Sequence, residues 1–142
     1  LLATLILTYL RLGIGRTGVS RAETWAVRVP ISIYLGWITV ATVANVTSLL
    51  DYLKWDRFGI APETWMLIIL AAVLAIAVTM NFTRRDASYA LVILWATAGI
   101  AIKHAAAAAV ATPTWIVFGL VLVTLIIALL IRRPAKTAQA GA

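Results

Sequence analysis

The chain has 142 residues, 63% of them hydrophobic and 12% charged, with a formal charge of +7 and a mean hydropathy of +1.02. A soluble domain carries about 25% charged residues, so this composition excludes a water-soluble fold. Zero cysteines exclude disulfides, thiolate nucleophiles and cysteine metal sites, and one histidine leaves no metal-ligating set.

The first apolar run, 1–12, would extend only about 18 Å as a helix. It is read as a partial first helix, the tail of a span that begins upstream, because it carries no basic n-region or small-residue cleavage site of a signal peptide. Gly13-Ile14-Gly15-Arg16-Thr17-Gly18 then matches G-x-G-x-x-G letter for letter. A dinucleotide site needs that pattern between a strand and a helix. Here it follows a membrane helix and lies among arginines, so a flexible turn is expected.

The second helix, 21–50, opens with Ser20-Arg21-Ala22-Glu23, which fits a capping box. Pro30 falls inside it, removes one backbone hydrogen bond and predicts a bend. Pro62 and Glu63 start the third helix, 62–82, with a first-turn proline. Asp86 caps the fourth, 86–104. Thr112-Pro113 marks the start of the fifth, 113–131, and Ala105 to Ala109 either continue the fourth helix or form a short connection. Uncharged runs at 29–50, 64–83, 87–102 and 105–131 each approach the roughly 20 residues that cross ~30 Å of hydrocarbon. The expected fold is all-α: one polytopic transmembrane helical bundle over 1–142, of about five helices with the first partial, ending in a flexible cytoplasmic tail at 133–142.

Arg11, Arg16, Arg21, Arg28, Arg84, Arg85, Arg132, Arg133 and Lys136 fall on one side of this topology, against Lys54, Arg57 and Lys103 on the other. The positive-inside rule turns the arginine-rich loops and the C-terminus to the cytoplasm, in a bacterial inner membrane. Because the basic residues are interleaved with spans, the charge is a topology signal and an anionic-lipid contact rather than a nucleic-acid footprint. Trp25, Trp55, Trp65 and Trp115 lie near segment ends, as an interfacial belt requires. Trp37 and Trp95 each lie well inside helices entering from the same side, so they should reach similar depth and either face each other or share a cavity.

Catalytic constellations are missing. Glu23, Asp51, Asp56, Glu63 and Asp86 all lie near loops, no two within a span pair as acid and base, and no serine has a histidine and carboxylate in a recognisable arrangement. Leu50 to Lys54 fits a weak sterol pattern but reads as an ordinary membrane edge. Lys103 and His104 are expected to snorkel or to pair with Asp51 or Asp56.

At 100° per residue, Tyr34, Trp37, Ala41, Asn45, Ser48 and Tyr52 share one face of the second helix, and Leu35, Val40, Val43, Val46 and Leu50 lie on the other side. Lipid offers no partner for an amide, so the polar-aromatic stripe is expected to turn inward, onto a helix or a ligand pocket. Ala41, Ala44 and Ser48 should permit close helix approach.

Tyr34-Leu35-Gly36-Trp37, Ala41-Thr42 and Asn45 resemble the fifth transmembrane helix of the TspO/MBR family, tryptophan-rich sensory proteins related to the translocator protein, whose motif runs roughly PYLxW, FA, LN. The stretches from Tyr9 to Gly13 and from Ser20 to Glu23, and Tyr89-Ala90-Leu91 with Trp95 and Gly99-Ile100, are similar to the larger bacterial members with extra C-terminal helices. Ile33 stands where the family has proline, with Pro30 close before it. The resemblance implies a helical bundle that binds porphyrins, sterols and other flat hydrophobic ligands, and maps Trp37, Ala41 and Ala44 to the pocket. The expected ligand-binding set is Tyr34, Trp37, Ala41, Ala44, Asn45 and Trp95, with a tetrapyrrole as ligand and no catalytic or metal residue. Expected partners are membrane lipids and a homodimer or larger membrane complex. The alternative is an accessory structural subunit of a respiratory or photosynthetic assembly, with the stripe against another chain.

Overall fold

The computed structural model describes residues 1–131; the tail expected at 133–142, with Arg132, Arg133 and Lys136, lies outside the described residues. Among the described residues the chain forms helices and no strand: α1 (Leu2–Arg11), α2 (Arg21–Tyr52), α3 (Pro62–Thr83), α4 (Ala87–Lys103) and α5 (Ala108–Leu130). A 3-10 turn, Arg57–Gly59, lies between α2 and α3. α2, α3 and α5 are long and apolar enough to cross a membrane, and α4, at 17 residues, reaches about 25 Å. This is a helical membrane bundle.

The starts follow local chemistry. Ser20 Oγ accepts the Glu23 N–H at 3.1 Å, which is half of the expected capping box. The reciprocal half is replaced: Glu23 Oε1 accepts from Arg28 Nε at 3.3 Å instead. Pro62 occupies the first turn of α3, and Asp86 Oδ1 accepts the Tyr89 N–H at 3.2 Å at the head of α4. Pro30 is accommodated by a π-helical turn over Thr24–Arg28, closed by the Val29 N–H on the Thr24 carbonyl. Widening that turn gives room to the carbonyl that the proline ring would otherwise strike.

The reading of Pro113 as a first-turn proline is corrected: α5 begins at Ala108 and Pro113 lies inside it. The alanine run explains the difference, since alanine favours helix strongly enough to extend α5 back through the second turn. Ala107, not Thr112, is its N-cap.

Packing places the functional space. α5 turns Thr114, Val117, Val121, Leu125 and Ala128 inward at three- and four-residue spacing, against α3 and α4. Asn81, fully buried on α3, donates through Nδ2 to the Val121 carbonyl at 3.3 Å and to Thr124 Oγ1 at 3.0 Å. α2 packs on α4 at Ser32, Leu35 and Gly36, all buried. A Cβ on Gly36 would stand 3.0 Å from Val92 Cβ, so this glycine sets the closest approach of the two helices. Ala44 and Ser48, expected to permit close helix approach, instead line the open space between α2 and α3, and Ala41 is half-buried. The packed pairs are α1 with α2, α2 with α4, α4 with α5, α3 with α5 and, less extensively, α3 with α4; α2 and α3 are not among them.

Candidate ligand-binding site

The space left between α2 and α3 is a half-open cavity of about 580 Å³. Its walls are apolar: Val43 and Ala44 from α2, Met66 and Ile69 from α3, Ala96 and Ile100 from α4. Ser48 aside, the hydroxyls among its lining are turned to their own helices. Thr47 donates to the Val43 carbonyl at 2.8 Å, Thr97 to that of Ile93 at 2.8 Å and Thr114 to that of Val110 at 2.7 Å. Such back-bonded hydroxyls compete little for a ligand, so the walls behave as hydrocarbon.

Polar groups gather at the end closed by the α2–α3 connection, where Asp51, Arg57 and His104 reach the lining. Lys54, Arg57 and Phe58 adopt left-handed backbone conformations there, with φ of 50°, 57° and 56°. Each costs roughly 1–2 kcal/mol for a residue bearing a Cβ, and specific contacts hold them. Asp56 Oδ1 accepts the Phe58 N–H at 3.1 Å. The Trp55 ring stands edge-on to Phe58 and to Trp65, each at 5.1 Å between centroids, which pins the connection to the head of α3. Arg57 Nε is buried and has no hydrogen-bond partner. The expected pairing of Lys103 or His104 with Asp51 or Asp56 is not formed; among the described residues the single ion pair joins Arg28 to Glu23.

The predicted stripe lies elsewhere. Trp37 and Trp95 do meet, with ring centroids 5.5 Å apart and planes tilted by 43°, but they are 46% and 64% exposed. With Trp25, Ile33, Leu91 and Val92 they border an open outer groove of about 560 Å³. Tyr34 and Asn45 are exposed and Ala41 is half-buried, and none of the three lines the cavity or the groove. Ala44 alone of the six expected residues lines the cavity. Of the stripe itself only Ser48 reaches the cavity; within this chain the side carrying Leu35, Val40 and Val43 is the one turned into the bundle. In a bilayer, close packing selects small side chains over bulky aromatic ones, and Ser32 and Gly36 won the contact with α4.

The opposite end of the bundle is polar, with an open cleft of about 420 Å³ beside Thr17, Arg28 and Asp86. Tyr9 donates to Asp86 Oδ2 at 2.8 Å, with the Arg84 guanidinium 5.7 Å above its ring. Arg28, 8% exposed, donates to the Thr17 carbonyl at 2.7 Å and to Thr17 Oγ1 at 2.9 Å. The glycine pattern serves this end as a turn, as expected: Gly13 and Gly15 have φ of 59° and 76°, and a Cβ on Gly15 would fall 2.0 Å from the Arg84 carbonyl oxygen.

Arg57, Trp65 and His104 escaped the sequence reading as a group because they lie on three different segments. The available signal was a short polar connection between two spans with an arginine and two tryptophans near it. No curated protein and no solved structure matches the chain. A family model described as TSPO-like protein matches residues 1–130, nearly the whole five-helix bundle, so the chain belongs to the TSPO-like protein family.

Proposed function

We propose that this membrane protein is a non-enzymatic binding or sensory protein for tetrapyrroles or other flat hydrophobic molecules, which it holds in the cavity between α2 and α3. The observation that carries the reading is the cavity of about 580 Å³ with hydrocarbon walls and polar groups confined to one end. Ligand pockets have volumes of roughly 300–1,000 Å³ and the same division of labour. Family membership supports the class of ligand and the absence of chemistry.

Titration of the detergent-solubilised protein with protoporphyrin, following tryptophan fluorescence, tests it. Trp65 lines the cavity, so saturable quenching should persist in a Trp37→Phe, Trp95→Phe variant. Loss of quenching in that variant would move the ligand to the outer groove, and no saturable quenching in the unmodified protein would refute the reading.

One observation favours a second reading, in which the stripe meets another protein, as in a homodimer or in an accessory subunit of a larger membrane complex. Asn45 is exposed within α2, a helix apolar enough to span the membrane, and an amide facing hydrocarbon without a partner is costly. The chain has no cysteine, so Asn45→Cys gives a single reporter. Crosslinking in native membranes to a second copy or to another protein supports this reading, and a monomer alone contradicts it.

A further inference from the structure

Arg57 lines the end of an apolar cavity, and its Nε, buried within the protein, has no hydrogen-bond acceptor there. Its neighbours do not neutralise it. Asp51 lines the same end without forming an ion pair with it. Asp56, the adjacent carboxylate, is engaged with the Phe58 N–H. The backbone at Arg57 and Phe58 is held left-handed, a conformation that persists only when surrounding contacts enforce it, here the Trp55 contacts with Phe58 and Trp65. The backbone that carries Arg57 is thus held beside the cavity end, with its side chain in the lining. A planar guanidinium offers forked N–H donors that match a carboxylate, and such charge-assisted bonds are roughly twice as strong as neutral ones. His104, at the same end, is a second donor for that group.

We infer that the occupant of the α2–α3 cavity is an anionic amphiphile, an apolar body bearing a carboxylate, with Arg57 as the anchor of the charged group. This inference rests on the cavity reading above and adds to it the charge of the ligand. The long-range field does not supply the preference, since Lys54, Arg57 and Lys103 near this end are balanced by Asp51, Asp56 and Glu63. Contact with Arg57 does.

The test compares protoporphyrin, a dicarboxylic acid, with its uncharged dimethyl ester, on the full chain in detergent micelles, in the unmodified protein and in Arg57→Gln and Arg57→Lys variants. The acid should bind the unmodified protein about tenfold or more tightly than the ester. Arg57→Gln should remove that preference by weakening the acid while leaving the ester unchanged, and Arg57→Lys should restore part of it. Comparing the acid-to-ester ratio between proteins cancels any difference in how the two probes partition into micelles. Equal affinity for acid and ester in the unmodified protein overturns the anchor while leaving the cavity reading standing, and this comparison does not depend on any variant folding. A preference that survives in Arg57→Gln also overturns it. Failure of both probes to bind removes the cavity reading and the anchor with it.

Discussion

Tyr9 and Asp86 are 77 positions apart in the chain, and the phenol hydroxyl donates to the carboxylate across 2.8 Å. The same carboxylate caps α4 through the Tyr89 N–H. One side chain therefore fixes α1 to the head of α4 and ends an otherwise unsatisfied helix start. Tyr9→Phe removes a buried bond to a charged group and should cost about 1.5–3 kcal/mol. Asp86→Ala should cost more, because it also removes the cap and strands the Tyr9 hydroxyl. Thermal unfolding in detergent, followed by circular dichroism, reads both; equal effects would show that the cap contributes nothing.

Gly15 and Gly18 of the G-x-G-x-x-G stretch should differ sharply. A Cβ on Gly15 would overlap the Arg84 carbonyl, at 2.0 Å, in a residue whose φ is already 76°. Nothing stands within 4 Å of a Cβ on Gly18. Gly15→Ala should lower stability by at least about 3 kcal/mol and Gly18→Ala by less than about 0.5 kcal/mol. Comparable loss in both would mean that the turn is held by something other than this close approach.

Asn81 contributes its amide N–H groups to the α3–α5 contact, while its Oδ1 has no partner. Asn81→Ala should cost about 1–2 kcal/mol through lost interhelical bonds and the space left behind. Asn81→Leu, which fills that space, should cost less. Equal losses would show that the amide bonds dominate over packing, and a larger loss for leucine that the site does not admit its side chain.

Trp95 touches Trp37 yet remains 64% exposed. Trp95→Ala should then lower stability by no more than about 1.5 kcal/mol, the range of an aromatic pair contact. A loss of about 3–5 kcal/mol, as for a buried tryptophan, would place this face against protein in the native membrane.

The helices themselves were legible in the sequence, because capping and charge act locally. Ser20, Pro62 and Asp86 do what their positions predict. Pro113 misled because its neighbours, the alanines before it, set the start of α5. The inward face of α2 was illegible for a different reason. In lipid both faces of a helix are apolar, so hydrophobic periodicity no longer separates inside from outside. Tyr34, Trp37 and Asn45 looked sheltered by chemistry, whereas Ser32 and Gly36 are buried by size. The shared depth of Trp37 and Trp95 was legible, and their rings do meet. The cavity was not, since its walls come from four helices and its charged end from a connection whose left-handed residues carry no sequence signature.

Ala96 projects from α4 into the lining of the cavity, and filling that space probes the central claim most directly. Ala96→Phe should weaken protoporphyrin binding about tenfold or more while the thermal unfolding temperature holds or rises. Unchanged affinity in a folded Ala96→Phe protein would show that the ligand does not enter between α2 and α3.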